Sequence, residues 1–545
     1  MSERDRIEGR FDAVIVGAGF AGLYLLHRLR GMGLRAQVFE AGDGVGGTWY
    51  WNRYPGARCD AESMAYSYSF SPELEQEWEW TERYPAQPEI LKYVEHVAER
   101  FDLMRDVCLS TRVASACYDE GDNTWTVKTE QGDRVTAQFC IMATGCLSVP
   151  QLPDIPGVDE FSGPVYQTSL WPHEGVDFSG LRVGVVGTGS SAIQAIPVIA
   201  EQAEHLTVFQ RTPNFSIPAH NRPLDPQWVD QFKAKYPQYR ADFRVGNVSG
   251  FGDLGLSDEE RAQVFATAES LSSDELEAVY EECWQLGGTR FLGVVQDTLL
   301  NEESNAKAAA FVHRKIRETV KNPEVAELLC PKNHPIGTKR ICVDTDYYAT
   351  YNRPNVTLVD VASAPIEAVT GNGLRTATES YEFDILVLAT GFDAMTGALL
   401  RMDIRGVDGQ ALGDKWQAGP RSYLGLAVAG FPNLVTITGP GSPSVLSNML
   451  ISIEQHVEWL TDCIAHMREH GLTRLEADLD AEDKWVDHVN EVASATLFPK
   501  GGSWYLGANV PGKPRVFMPY AAGVGPYREL CDQVKANNYE GFSIT

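Results

Sequence analysis

No run of 18 apolar residues occurs in this chain, so no membrane-spanning helix is expected. The first ten residues, MSERDRIEGR, are charged and give no sign of a signal peptide. The ten cysteines are scattered and none stands in a C-x-x-C pair, a pattern that suits free thiols in a reducing cytoplasm. Positive charge is scarce: 46 Lys and Arg stand against 74 Asp and Glu, a formal net charge of −28. That balance argues against nucleic acid and anionic membrane as partners. It also means that any site for an anionic ligand must gather Arg and Lys locally, against the overall field. His466 and His470 stand at helical i, i+4 spacing, but no third ligand is near and Gly471 follows, so they read as helix C-terminal residues and no metal site is expected.

What is present is the composition of a soluble globular protein, with 43% hydrophobic and 22% charged residues. At 545 residues the chain is too long for one ordinary core, so two to four domains are expected. The organising stretch runs from Phe11 to Asp60. Ala13 to Val16 reads as a strand buried on both faces. Gly17, Gly19 and Gly22 then form G-x-G-x-x-G, and a helix is expected from about Phe20 to Arg30. The first glycine makes the turn, the second admits a pyrophosphate, and the third lets helix pack on strand. The helix aims its N-terminal amides at the phosphates. A second strand, Ala36 to Phe39, ends in Glu40, whose carboxylate suits ribose hydroxyls. The loop that follows, GGTWYWNRYPGARCD (Gly46 to Asp60), fits either an aromatic loop packed beside this unit or a cofactor loop.

Leu181 to Thr212 repeats the same logic. Strand Arg182 to Val186 leads into Gly187, Gly189 and Ala192, a G-x-G-x-x-A turn, with Ser190 and Ser191 opening the helix; strand His205 to Gln210 follows. The second strand here ends in Arg211 rather than an acid. An Arg suits a 2′-phosphate, whereas an acid suits a free 2′-hydroxyl, so the first unit is expected to hold FAD and the second NADPH. Thr111 to Tyr118, Thr124 to Lys128, Arg134 to Ala137 and Phe139 to Gly145 read as strands, and FCIMATG is matched by FDILVLATGF at Phe383 to Phe392. Pro150, Pro153 and Pro156 mark a linker. Pro223 to Pro335 reads as a mostly helical insertion, with capping boxes at Ser257/Glu260 and Ser272/Glu275 and an N-cap at Asn322 before Pro323. LVTITGPGS (Leu434 to Ser442) is a strand meeting a glycine turn, followed by a helix to about Met467. The fold class expected is α/β, with two Rossmann-like dinucleotide-binding domains and a helical insertion. The boundaries are 1–148 and 395–545 for the FAD domain, 149–214 and 336–394 for the NADP domain, and 215–335 for the insertion.

Two nucleotide units split around a helical insertion resemble the class B flavoprotein monooxygenases. Within them the chain resembles the type I Baeyer–Villiger monooxygenases, in the branch of the phenylacetone and steroid monooxygenases. Gly47 to Asp60 matches G-x-W-x4-[FY]-P-[GM]-x3-D at every fixed position. SYSFSPELEQEW (Ser67 to Trp78), IGTKR (Ile336 to Arg340), ATGFDA (Ala389 to Ala394), GPGSPS (Gly439 to Ser444) and SWYLGANVPGKPRVF (Ser503 to Phe517) carry the resemblance across nearly the whole chain. The fingerprint F-x-G-x-x-x-H-x-x-x-W-[PD] appears at Phe161 to Pro172 with Gln167 in place of histidine. Gln can both donate and accept but cannot titrate, so it is expected to serve as a strut in the linker.

The resemblance implies that NADPH reduces FAD and that dioxygen then forms a flavin peroxide. The deprotonated peroxide attacks a ketone, and rearrangement gives an ester or lactone. It implies that Arg340 sits beside the peroxide and Asp60 orients it, and that Gly47, Thr48, Trp49, Tyr54 and Asp60 belong to the cofactor loop. Lys339, Arg211 and Thr212 would grip the 2′-phosphate, Trp504 would hydrogen-bond NADP, and Cys146, Val445 and Leu446 would line the substrate pocket. The expected partners are a small ketone and O2, with a cytoplasmic monomer favoured. A flavin N- or S-monooxygenase shares both nucleotide sites and would not need Arg340, and a silent NADPH-binding redox sensor would bind FAD without turning over any ketone. A flavin disulfide reductase is disfavoured because no C-x4-C pair follows the first unit.

Overall fold

The computed structural model describes residues 7–245 and 267–545. Its frame is two mainly parallel sheets, each built on one strand–turn–helix–strand unit. In the first, Glu8–Val16 lies between Ala36–Phe39 and Arg134–Met142, all parallel. In the second, Arg182–Val186 lies between His205–Gln210 and Ile385–Leu388, again all parallel. The two turns match bond for bond. Gly17 N–H donates to Phe39 C=O at 2.8 Å, and Gly187 N–H donates to Phe209 C=O at 3.1 Å. Both glycines have φ above +100°, and a Cβ on either would lie within 2.5 Å of the carbonyl oxygen of Ala143 or Ala389. Those two alanines open the paired A-T-G stretches, so the repeated tripeptide marks the third strand's end beside each glycine turn.

The first sheet extends through an antiparallel meander, Val113–Asp119, Thr124–Thr129 and Arg134–Met142. The sequence suggests two strands between Arg134 and Gly145, but one continuous strand is found. Its first half pairs with the meander, and Cys140–Met142 pairs with Leu434–Thr436 instead. Asp403–Arg405 closes the far edge. The second sheet is all parallel, in the order Val356–Asp360, His205–Gln210, Arg182–Val186, Ile385–Leu388, Val165–Gln167. Between 219 and 341 the described residues are helical, with 3-10 turns and loops but no strand.

Four helices of this insertion start on side-chain caps. Asp225 caps Pro226–Ala234, Ser272 and Glu275 form a reciprocal capping box on Ser273–Leu286, Asn301 caps Glu302–Thr319, and Asn322 caps Pro323–Leu329. The box read at Ser257 and Glu260 lies outside the described residues. The insertion is divided between the two cores rather than forming its own. Val229, Phe232 and Tyr236 pack into the first core, where Arg240 bonds buried Glu75 at 2.7 Å and Ser67 at 2.7 Å. Leu276, Tyr280, Phe291 and Phe311 pack into the second.

The helix Met449–His470 runs past the expected end at Met467 to an αL cap at Gly471. The rings of His466 and His470 lie 4.3 Å apart, tilted by 36°, and His470 Nδ1 bonds the His466 carbonyl at 2.8 Å. None of the ten cysteines forms a disulfide, and no described helix is long and apolar enough to cross a membrane.

One buried histidine ties that helix to the glycine turn it follows. The Thr438 N–H donates to His456 Nδ1 at 3.0 Å, which makes Nδ1 an acceptor. Nε2–H then donates to the Tyr527 hydroxyl at 2.8 Å, and that hydroxyl donates to the Leu424 carbonyl. The ring is fully buried, and burial pushes its pKa down to about 3. The unfolded chain takes up a proton below its ordinary value of about 6.5 while the folded ring stays neutral, so this contribution is present above that pH and is lost as pH falls. The stability advantage of wild type over His456→Gln should therefore shrink by about 1.4 kcal/mol per pH unit on going below about 6.5. Denaturant unfolding at stepped pH checks this, and an advantage that stays constant from neutral to acid pH would contradict it.

Candidate active site

The two nucleotide helices begin differently from the four capped helices of the insertion. Phe20–Gly31 and Ser190–Gln202 each start after a glycine, with no side-chain cap and no acid in the first turn. Their first amides are left for an outside acceptor, and the helix dipole favours an anion there. A Cβ on Gly189 would meet nothing within 4 Å, so the second turn is open above its backbone. Gly19 lies against Gly47: a Cβ on Gly19 would be 3.3 Å from the Gly47 Cα, which brings the cofactor-loop glycines over the first turn. Phe20 itself points into the core, edge-on to Tyr66 and Tyr68, so its part at the turn is its backbone.

Glu40 is buried, with Oε2 accepting from Ala18 N–H at 2.7 Å and Oε1 from Gly42 N–H at 2.8 Å. Burial pushes its pKa up, against the pull of those two amides. The carboxylate thus fixes the turn. The loop after it is a short helix, Thr48–Trp51. Thr48 is exposed, whereas Trp49 is buried and donates its indole N–H to the Tyr66 hydroxyl at 3.0 Å. Tyr54 reaches the other unit: its hydroxyl donates to Gln194 Oε1 at 2.8 Å, while Gln194 Nε2 donates to the Arg58 carbonyl at 2.9 Å. Gln194 lies on the second nucleotide helix, so it fastens one unit's loop to the other's helix. Nothing in the sequence marks it, because a glutamine inside a helix carries no signature.

At the end of strand His205–Gln210, Arg211 is exposed, and the carbonyl of Thr212 accepts from Thr188 Oγ1 at 2.9 Å. Lys339 faces Arg211. Burial first and the Arg211 charge second hold the Lys339 pKa below its ordinary value. Among the described residues neither cation makes an ion pair, in a protein rich in acids. Two facing cations without a carboxylate form a receptor for an anion. His334, which the sequence reading passed over, is buried beside Lys339; burial and that charge push it down to about 4, so it adds no positive charge at neutral pH.

The next residue, Arg340, meets Asp60 across the seam between the units. Nε donates to Oδ2 at 2.6 Å and Nη2 to Oδ1 at 2.8 Å, a bidentate pair with both side chains about one-fifth exposed. Nη1 donates to the carbonyl of Val445. Burial works against both charges, but their mutual attraction wins: Asp60 is held below its ordinary pKa and Arg340 above its own. Both groups stay charged across the neutral range. Beside them lies an apolar cluster that brings together Cys146, Val445, Leu446 and Trp504 with Met395, Phe517 and Tyr505. Burial pushes the Cys146 thiol up to about 11, which keeps it neutral. Ser190 and Asn214 approach Cys342 Sγ at 3.2 Å each, tying the second helix's start to the strand after Arg340.

Gln167 ends strand Val165–Gln167 and is buried. Its Nε2 donates to the Gln151 carbonyl at 3.3 Å, and Thr390 Oγ1 donates to the same oxygen at 2.6 Å. It thus links the proline-marked linker to the second A-T-G stretch.

A family model described as pyridine nucleotide-disulphide oxidoreductase matches residues 14–244. A Baeyer-Villiger monooxygenase of Pseudooceanicola batsensis is 43% identical over 97% of this chain and 95% of its own length. A phenazine N-monooxygenase of Lysobacter antibioticus is 40% identical over 99% of this chain and 98% of its own. Among solved structures, an oxidised steroid monooxygenase bound to NADP is 51% identical, with a TM-score of 0.92 over 98% of this chain and 99% of that one. A monooxygenase in complex with FAD and NADP is 40% identical, with the same TM-score over 98% of this chain and 99% of its own. With relatives this similar over nearly the full length, the chain belongs to the Baeyer–Villiger monooxygenases, FAD- and NADPH-dependent enzymes that insert one oxygen atom of O2 beside a ketone carbonyl.

Proposed function

We propose that this chain oxygenates an uncharged, apolar ketone to an ester or lactone, with Arg340 as the catalytic cation and Asp60 as its anchor. The observation that carries this reading is the bidentate Arg340–Asp60 pair set against an apolar cluster. Bound FAD, reduced by NADPH, supplies the activation of dioxygen. The protein's own part is to bind, orient and stabilise charge. Arg340 stabilises negative charge on the ketone oxygen as the carbonyl carbon becomes tetrahedral, and a charge already held in place needs no reorganisation at that moment. Asp60 keeps the guanidinium in that place. Cys146, Val445 and Leu446 offer the substrate an apolar wall, which suits a ketone without ionic groups.

In this reading Gly17, Gly19, Gly22 and Glu40, with Gly47, Thr48 and the wall of Trp49 and Tyr54, hold FAD. Gly187, Gly189, Ser190 and Ser191 hold the NADP pyrophosphate, Arg211, Thr212 and Lys339 hold its 2′-phosphate, and Trp504 donates its indole N–H. Residues 1–148 and 395–545 form the FAD domain, 149–214 and 336–394 the NADP domain, and 215–335 an insertion shared between them. Ten cysteines without a disulfide fit a cytoplasmic enzyme.

Oxidation of a heteroatom is the second reading, favoured by the likeness to an N-monooxygenase. It is separated by substrate. With NADPH and air, aryl, cyclic and steroid ketones should yield esters carrying one atom of labelled O2, and Arg340→Ala should keep FAD and its reduction by NADPH but lose ester formation. Oxides of nitrogen or sulfur substrates with no ester from any ketone, or ester at near wild-type rate from Arg340→Ala, would contradict the assignment.

Cofactor choice follows from the cation pair. A charge-assisted bond to the 2′-phosphate is worth about 1.5–3 kcal/mol, so two such bonds predict a preference for NADPH over NADH of about a hundredfold or more. Arg211→Ala should raise the KM for NADPH and leave that for NADH nearly unchanged. Steady-state kinetics with both cofactors checks this, and equal efficiency with both in the wild type would overturn it.

A further inference from the structure

Gln194 lies in the first half of the second nucleotide helix, Ser190–Gln202, and meets the other unit's loop with both ends of its amide. Oε1 accepts from the Tyr54 hydroxyl at 2.8 Å and from Arg58 N–H at 3.4 Å, and Nε2 donates to the Arg58 carbonyl at 2.9 Å. The Arg58 N–H can only donate and its carbonyl can only accept, which fixes the orientation of the amide. The main chain comes as close. Gly56 has φ +79°, and a Cβ there would stand 2.3 Å from the Gln194 carbonyl oxygen and 3.2 Å from Val198 Cγ2, so the loop lies directly on this face of the helix. Tyr54 and Ala57 bury their side chains in the second core, which also holds Ala192, Ile193 and Ile196 of the same helix.

Apolar packing is non-directional and lets one surface slide over another. Hydrogen bonds weaken steeply as their distance and angle change, so the polar contacts at Gln194 set the register of the helix along the loop. The loop itself keeps its shape without them. Gln87 N–H donates to the Ala57 carbonyl at 2.9 Å, Cys59 N–H donates to the Pro85 carbonyl at 3.0 Å, and Arg58 Nη1 donates to Glu82 and to the Tyr84 carbonyl. All of these bonds lie on the first unit's side. Removing the Gln194 amide therefore frees the helix and not the loop that ends in Asp60.

We propose that Gln194 is a positioning residue for the reduction of FAD by NADPH: it sets the register at which the second nucleotide helix, with the pyrophosphate site at its start, sits against the FAD unit. Reduction moves one hydride, a proton with two electrons, from NADPH to oxidised FAD, leaving NADP+ and the FADH− anion. Such a transfer needs its reacting atoms in close, aligned contact, so a nucleotide held firmly but out of register is bound without being reactive. The inference rests on the reading that the first unit holds FAD and the second NADPH.

Gln194→Leu should lower the anaerobic rate of flavin reduction at saturating NADPH about tenfold or more, with FAD content and the NADP+ dissociation constant within about twofold of wild type. Reduction by dithionite, which needs no nucleotide, should keep its wild-type rate. Tyr54→Phe removes one of the bonds from the loop's side and leaves the helix sequence intact. It should slow reduction by NADPH to a smaller extent, and adding it to Gln194→Leu should slow reduction no further. In crystals of Gln194→Leu the helix should be shifted along the loop, while the Gln87–Ala57 and Cys59–Pro85 bonds stay in place. A wild-type rate of reduction by NADPH in both single variants would overturn the proposal, as would an unshifted helix. An equal slowing with dithionite, or a loss confined to NADP+ affinity, would overturn it too. Arg211→Ala tests where the nucleotide sits, whereas the rate at saturating NADPH tests the register, so the two failures are told apart.

Discussion

The bidentate bond between Arg340 and Asp60 is the constraint on which the rest of the arrangement depends. Asp60 ends the loop that follows the first nucleotide unit, and Arg340 opens the return of the chain into the second. The pair can form only if the two sheets meet at one fixed angle and distance. Much of the chain serves that meeting. Gln194 fastens Tyr54 and Arg58 to the second helix, Arg240 fastens the insertion to Glu75, and Ser216–Pro218 pairs with Cys342–Asp344 just beyond Arg340. Attraction between the two charges outweighs the burial that opposes each of them, so both remain ionised where water is scarce.

Around that pair the protein separates two kinds of cation. Arg340 is neutralised by a carboxylate, and in the function proposed here it acts on charge that appears only during reaction. Arg211 and Lys339 pair with no carboxylate among the described residues, and in the same proposal they meet charge that arrives with the cofactor. On that proposal the adjacent positions Lys339 and Arg340 would serve binding and chemistry respectively. The helix starts follow the same division. Four insertion helices satisfy their own amides with Asp225, Ser272, Asn301 and Asn322, while the two nucleotide helices begin on bare glycines and leave theirs for an outside acceptor.

The parts legible in the sequence were those fixed by local stereochemistry. Gly17 and Gly187 announce turns because only glycine takes that φ so close to a carbonyl, and Ser272/Glu275 and Asn322–Pro323 announce helix starts because capping acts within four residues. That Glu40 and Arg211 each follow the end of a strand was legible too, since both strands are recognisable. What could not be read depends on contacts between distant segments. The change of partner along Arg134–Met142 is set by Leu434–Thr436, nearly 300 residues away in sequence, and the periodicity of the strand carries no trace of it. The roles of Gln194 and His456 depend on hydrogen bonds to residues 140 and 71 positions away, made by residue types with many bland uses. Glu40 shows the intermediate case. Its place was legible, but its grip on the Ala18 and Gly42 amides was not.

The central claim is that Asp60 acts on oxygen transfer only through Arg340. A double-mutant cycle on ester formation at saturating NADPH, with Asp60→Ala, Arg340→Ala and the pair, measures this most directly. The account predicts strong non-additivity: the double variant should lose no more activity than Arg340→Ala alone. Losses that multiply, with the double variant slower than either single by the other's full factor, would show that the two residues act independently and would contradict it.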